Sequence, residues 1–327
     1  MDTVAADHGR YIMEINLPIS EMESGMRVEG FYLLKEASVK TTVSGKPYLN
    51  ASVMDCTGSI TVMMWDYSGD IDERDIGKVV KIRGDVSVYK NANQITASRL
   101  RFARDDDEVD VSRLVPVAPI DADARFQEVQ GLIASLEDED YRAVAQEMLR
   151  RHAENFRRIP AAKSVHHSFL SGLLMHTSNM MKTADFFSAL YPDVINRSLL
   201  IAGTLLHDLA KEREFAFSDI GMATGYTVAG ELLGHLVMGA QEIRDVCAEL
   251  EIPEHKSVLL QHLILSHHGN PEYGAAVIPM CAEAELLALI DRVDSRMEIY
   301  GEILPTLHPE SFSGRIYALD KKIFRHE

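Results

Sequence analysis

The run "AGTLLHDLAKERE", residues 202–214, ends an apolar stretch on an imidazole and a carboxylate side by side, His207 and Asp208, with Lys211 one turn further on. The overlapping "SLLIAGTLL" has no continuous polar face, so it reads as a helix buried all round. A buried imidazole and carboxylate cost free energy unless something pairs with them. What the rest of the chain sends to the same place therefore decides how this part folds.

Around that run the periodicity is helical from Asp121 almost to the C-terminus. In "SVHHSFLSGLLMHTSNMMKTADFF" positions 169, 173, 176, 177, 180, 184 and 187 share one face, which turns His176 inward. In "ELLGHLVMGAQEIRDVCAEL" the apolar face is 232, 236, 239, 243, 246 and 250, with His235 at its edge. His267 falls with Leu260, Leu263 and Ile264 at a helix end, beside His268. Asp291 and Asp294 ride on a helix whose stripe is Leu287, Ile290 and Met297.

Five inward-facing segments thus bring His176, His207 with Asp208, His235, His267 with His268, and Asp291. Taken singly, each suits a hydrogen-bonded core residue. Five in successive helices would each need a separate buried partner, and a shared metal centre satisfies them together. Imidazole and carboxylate without thiolate suit Mn²⁺, Fe²⁺, Zn²⁺ or Mg²⁺. The ligands are too many for one tetrahedral zinc, so the expectation is two divalent ions bridged by Asp208, a pair suited to in-line displacement at phosphorus. Lys211 has two readings: a cation meeting a phosphate oxygen, or a solvated lysine in "KERE".

Between Arg27 and Phe102 the pattern is short and β-like: "RVEGFYLLKEASVK", "YLNASVMD", "ITVMMWD", "KVVKIRGDVSVYK" and "QITASRLRF", separated by turn residues. Five strands with a longer connection after the third have the pattern of an OB-fold barrel. The acidic "RDDDEVD" and the prolines of "LVPVAP" follow and read as a linker. The expected organisation is an N-terminal extension (1–25), an all-β OB-fold barrel (26–104), a linker (105–120) and an all-α helical domain (121–327).

OB barrels commonly bind single strands through a basic groove and stacking aromatics. Candidates for stacking are Tyr48, Trp65, Tyr67 and Tyr89, and for backbone contact Lys35, Lys46, Lys81, Arg83 and Lys90. Two structural readings stand beside these: Trp65 filling the barrel, and strand lysines protecting an edge.

The bulk numbers agree with a folded two-domain chain of 327 residues. Its apolar runs are too short to span a bilayer and its N-terminus lacks the order of a secretory signal, so no membrane association and a cytoplasmic location are expected. Cys56, Cys247 and Cys281 are scattered, with no CxxC, which fits a reducing compartment and excludes a cysteine zinc knuckle. The net charge of −17 argues against a polyanionic partner only on average. Residues 26–104 hold 12 Lys and Arg against 9 Asp and Glu, so one mildly basic module sits in an otherwise acidic protein.

The order H…HD…H…H…D, with HDxxK at its centre, resembles the HD phosphohydrolase superfamily, all-helical metal-dependent enzymes acting on phosphoesters. More narrowly, an OB-fold followed by "PAAKSVHHSFLSGLLMHT", "GTLLHDLAK", "GYTVAGELLGH", "LILSHHGNPEYG" and "EAELLALIDRVDSRM" is similar to the YhaM-type 3′-to-5′ exoribonucleases. The likeness runs from about residue 14 to the C-terminus.

It implies His176, His207, Asp208, His235, one or both of His267 and His268, and Asp291 as ligands of two divalent ions, with Mn²⁺ first among them. Asp208 and Lys211 would be catalytic. His166 and His167 are placed either at the mouth of the cleft or in capping and packing roles. Asp294 falls behind the ligands or against a sugar hydroxyl, and Glu272 has no assigned role. The implied activity is hydrolysis of single-stranded RNA to nucleoside 5′-monophosphates. DNA is not distinguished, because no 2′-hydroxyl contact can be located. A homo-oligomer is consistent with the resemblance. Two other readings remain at this point, a phosphodiesterase of small nucleotides and a non-catalytic RNA-binding protein with a vestigial site.

Overall fold

The computed structural model describes residues 13–90, 92–162, 169–218 and 220–327. The chain divides into two units, one running to Pro116 and taking in Phe217–Ile220, the other comprising Val117–Ala216 and Gly221–Glu327. Of the expected N-terminal extension, residues 1–12 lie outside the described residues, and the remainder includes a short strand, β1 (Met13–Ile15), parallel to the strand that follows.

That strand, β2 (Arg27–Thr41), is followed by β3 (Pro47–Asp55), β4 (Gly58–Trp65), β5 (Val79–Tyr89) and β6 (Ala92–Phe102). The alternation of "RVEGFYLL" and "KIRGDVSV" puts Val28, Tyr32, Leu34, Val80, Ile82 and Val86 on one buried face. At fifteen residues β2 is long enough to pair twice, with β5 through Arg27–Leu33 and with β3 through Leu33–Thr41, across an irregularity between Leu34 and Glu36. With β4 parallel to β6 and β6 antiparallel to β5, the ring closes without a free edge. This is a closed five-stranded barrel of OB type, and the five strands expected from the sequence are its walls. Past it, Leu114, Val115 and Ala118 are buried.

The second unit is helical: α1 (Ala122–Ala134), α2 (Glu139–Arg158), α3 (Gly172–Leu190), α4 (Arg197–Leu206), the single turn α5 (Lys211–Glu214), α6 (Val228–Glu249), α7 (Glu254–Ser266) and α8 (Ala282–Ile303). A small hairpin, β7 (Phe215–Phe217) with β8 (Ala223–Tyr226), separates α5 from α6, and β9 (Ser311–Phe312) pairs with β10 (Phe324–Arg325). Asn196 caps α4 by accepting from the Leu199 amide at 3.0 Å, and every residue from Ser198 to Leu206 is buried. The all-round apolar run is thus the central helix, packed by α2, α3, α7 and α8. Among the described residues no helix is long and apolar enough to cross a membrane.

Two of the expected helical faces are corrected. Leu232 is 77% exposed although Leu236, Gly239, Ile243 and Val246 are buried. Gly234, at φ 70° and ψ 162°, breaks α6 between them, so the faces before and after the break are out of phase. Met297 is 57% exposed. Beyond the site α8 buries Ile299 instead, against Leu319 and Ile323 of the C-terminal segment.

Candidate metal centre

His207 and His267 end α4 and α7 in the same way. Each is the C-cap residue, and each donates from Nδ1 to the carbonyl three residues back, Thr204 at 2.7 Å and Ile264 at 2.8 Å. The bond fixes the ring and turns Nε2 inward. The other two inward imidazoles are held by carboxylates: His176 Nδ1 donates to Asp294 at 2.7 Å, and His235 Nδ1 to Glu214 at 3.0 Å. All four rings therefore present Nε2 to one place, each with Nδ1 fixed behind it, as histidines are oriented at metal sites.

Asp208 stands between them. Its Oδ2 lies 3.2 Å from His207 Nε2 and 3.9 Å from His176 Nε2, and its Oδ1 lies 3.4 Å from His235 Nε2 and 3.7 Å from His267 Nε2. Asp291 Oδ1 approaches His176 Nε2 at 3.3 Å. Donor atoms gather in three overlapping sets, His176 with His207 and Asp291, His207 with Asp208 and His267, and His235 with His267 and His268, each set within 4.8 Å. The remote residues expected to converge do converge. His166 and His167 lie outside the described residues.

Among the described residues, several polar atoms here lack partners. Asp208 Oδ1, His235 Nε2 and His268 Nδ1 are buried without a hydrogen-bond partner, an arrangement that costs roughly 1–3 kcal/mol per group when nothing binds them. Two or three imidazole nitrogens and a carboxylate oxygen aimed at one point fit a divalent cation, and the carboxyl-terminal ends of α4 and α7 add favourable dipoles.

The electrostatics agree. Burial pushes His267 well below the usual imidazole range, helped by His207 and His268, so its Nε2 lone pair stays available. Burial opposes ionisation of Asp208, but His207 and Lys211 hold its carboxyl well below the usual range. For His176 burial is outweighed by Asp291 and Asp294, which raise it to about 9, so a proton is drawn to a place that attracts cations.

The segment "KERE" is not a solvated charge run. The Lys211 side chain is only 14% exposed and donates to Asp208 Oδ2 at 2.7 Å, which sets aside the solvated reading. Glu212 meets His152 of α2 at 2.8 Å, Arg213 donates to Glu242 at 2.7 Å, and Glu214 orients His235. Glu214 also accepts from the His235 amide at 3.1 Å, a contact made where Gly234 interrupts the helix. Gly230 lets the first turn of α6 lie against the same residue: a Cβ there would fall 2.1 Å from the Glu214 carbonyl oxygen. Sequence reading missed Glu214.

His176, Asp208, Lys211, Glu214, His235, His267, His268 and Asp291 line a cleft of about 510 Å³ that also reaches Arg296, exposed on α8. Arg296, five residues after Asp291, is a second cation that the sequence reading did not single out.

On the barrel, Tyr48 and Trp65 stand side by side with ring centroids 5.1 Å apart, and with Tyr89 they line a separate hollow of about 490 Å³ together with Asn50, Asn93 and Gln94. Trp65 is 52% exposed, which removes the reading in which it fills the barrel. Tyr67 is corrected: it is buried, its hydroxyl accepting from the Ile71 amide at 2.7 Å, and offers no stacking face. Lys90 lies over the Tyr89 ring and Lys46 pairs with Asp66 at 3.0 Å, both beside the aromatic hollow, while Lys81 and Arg83 share Glu29 on another part of the surface. Lys35 is exposed.

Residues 166–296 match the HD domain family, so the chain is an OB-type barrel followed by a helical HD domain. Over the barrel, the chain is similar to a domain of replication protein A from Methanococcus maripaludis, at 17% identity and a TM-score of 0.23, covering 26% of this chain and 92% of that one. It is also similar to the OB domain of a Thermoplasma acidophilum protein, at 13% identity and a TM-score of 0.24, covering 30% of this chain and 92% of that one.

Proposed function

We propose that the protein is a metal-dependent phosphodiesterase that removes nucleotides from the 3′ end of single-stranded RNA. The observation that carries the hydrolytic part is the division of the Asp208 carboxylate, one oxygen toward His176 and His207, the other toward His235 and His267. RNA as substrate and the 3′-to-5′ direction rest on the motif resemblance, supported by the exposed aromatic hollow of a barrel that is the more basic part of an acidic chain. In this reading residues 26–104 capture the strand and residues 121–327 cleave it.

His176, His207, Asp208 and Asp291 would hold one divalent ion, and His235, His267, His268 and the second oxygen of Asp208 the other, with Mn²⁺ the first choice and Fe²⁺, Zn²⁺ or Mg²⁺ also fitting the donors. Such a pair, when bound, supplies Lewis acidity at the phosphoryl group and activation of the nucleophile. The protein's own side chains do the rest. Asp294, Glu214 and the Thr204 and Ile264 carbonyls keep the four Nε2 atoms inward. Lys211 and Arg296 supply positive charge for the phosphoryl oxygens, the first inside the cleft and the second on its rim.

The test is incubation of the full-length protein and Mn²⁺ with 5′-labelled RNA of about 20 nucleotides, a length exceeding one OB site, and in parallel with cyclic dinucleotides. Progressive shortening from the 3′ end with release of nucleoside 5′-monophosphates is expected. Hydrolysis of the cyclic dinucleotides alone would assign the site to small nucleotides instead.

A further inference from the structure

The outer face of β5 and β6 carries a charge pattern that strand pairing itself disfavours. Lys81 lies directly opposite Arg101, and Arg83 directly opposite Arg99. Like charges facing across an antiparallel pair are destabilising, and here two such pairs are neighbours. A bulge builds the pattern. The register shifts between Arg83 and Gly84, so along β6 the solvent-facing positions pass from Gln94 and Thr96 to Arg99 and Arg101. Leu100 meanwhile packs on the barrel core. Arg104, just past the strand, joins these cations around a groove of about 530 Å³.

Two carboxylates form ion pairs with three of the five cations, and Asp106 acts on Arg101 through space. Glu29 takes Lys81 at 3.3 Å and also pairs with Arg83, and Asp107 takes Arg101 at 2.6 Å. Among the described residues the guanidinium groups of Arg99 and Arg104 have no carboxylate partner, although the Arg104 amide donates to Asp107 at 2.8 Å. In a chain of net charge −17 this is a local reversal of sign, lodged in a concavity where it is concentrated rather than dispersed.

We propose that this groove is a second binding site of the barrel, one that takes the phosphate backbone of a single-stranded nucleic acid and is separate from the aromatic hollow where bases would stack. The inference rests on the proposed nuclease reading only for the identity of the polyanion. Strand β6 joins the two places: Gln94 lines the hollow and Arg99 the groove. Five residues of strand separate them by about 16 Å, so a strand seated on the aromatics must run on for several nucleotides before its phosphates reach Arg99 and Arg104. Phosphate contacts position a strand without reading its sequence. The groove therefore makes affinity depend on length.

The test compares the full-length protein with its Arg99→Ala/Arg104→Ala variant by fluorescence anisotropy. The probes are phosphorothioate oligouridylates, which resist hydrolysis, of about 20 and about 4 nucleotides, a span that brackets the site size of one OB fold. Each cation removed should lower the slope of log K against log salt by about 0.7 on a single strand, so the slope for the long probe should fall by about 1.4 and its affinity by roughly tenfold. Binding of the short probe should hold within twofold. An unchanged slope for the long probe, with wild-type melting behaviour, overturns the proposal, as does an equal loss for both lengths. Vesicles with about 30% phosphatidylserine, bound by the wild type and released by the variant while the RNA curves coincide, would assign the groove to a membrane surface. If RNA degradation is absent but the slope changes as stated, the groove stands and the nuclease reading falls; if the wild type binds neither oligomer, the groove falls with it.

Discussion

Glu214 holds His235 twice, accepting from the ring Nδ1 at 3.0 Å and from the backbone amide at 3.1 Å. The ring and its backbone are thus fixed by one carboxylate on a different element. Replacing Glu214 with Ala should weaken divalent-metal binding about 10–100-fold, the usual consequence of losing such a support, and Glu214→Gln, which keeps one acceptor, should do less harm. Calorimetric titration with Mn²⁺ measures this. Wild-type affinity in Glu214→Ala would show that the contact does not orient the ring for a cation.

Lys211 and Asp208 form an ion pair at 2.7 Å with both side chains largely buried. Removing one partner of a buried pair costs about 3–5 kcal/mol, because the other charge is left uncompensated. Lys211→Met should therefore lower the melting temperature of chelator-treated protein, and added Mn²⁺ should recover more of it than in the wild type, since a divalent cation replaces the lost ammonium. Turnover should fall while metal content does not. Equal metal-induced shifts in both proteins would contradict this account.

His152 is buried between two carboxylates, Glu212 at 2.8 Å and Glu242 at 2.9 Å. Burial disfavours its charged form, yet the two acids outweigh it and raise its pKa to about 9. A pKa above the unfolded value of about 6.5 means that the contribution is complete below about pH 6.5 and is lost as pH rises through about 9. Between those limits wild-type stability should fall more steeply than that of His152→Gln, by at most about 1.4 kcal/mol per pH unit for one proton. Urea unfolding of chelator-treated protein at several pH values gives the difference. Parallel curves would mean that His152 does not titrate between the two acids.

Trp65 is the single tryptophan, and it is exposed on the aromatic hollow. Stacking with a base should quench its fluorescence as oligouridylate is added, and Trp65→Ala should lower affinity by about 1–3 kcal/mol, the range for one base on one aromatic platform. A spectrum insensitive to saturating RNA would remove Trp65 from the interface.

Sequence alone reached furthest where a pattern is local. Alternation in "KVVKIRGDVSVYK" and "ITVMMWD" marks strands because one barrel face is buried and the other is wet. The inward turn of His176 and His267 follows from unbroken helical spacing beside Leu173, Leu263 and Ile264, all of them buried. Where the backbone departs from regularity the same logic fails. Gly234 resets the phase of α6, so Leu232 points outward, and nothing in the spacing of "ELLGH" reveals a glycine at positive φ.

The kind of donor, imidazole and carboxylate without thiol, and the helices that carry them were set by residue type and period. Which atom each donor turns inward was decided only in the tertiary structure. Glu214 reaches His235 across 21 residues and Asp294 reaches His176 across 118. Such contacts carry no local signature, because a carboxylate chooses its partner through the packing that buries them together, and a charge run such as "KERE" looks the same in sequence whether water or the core receives it.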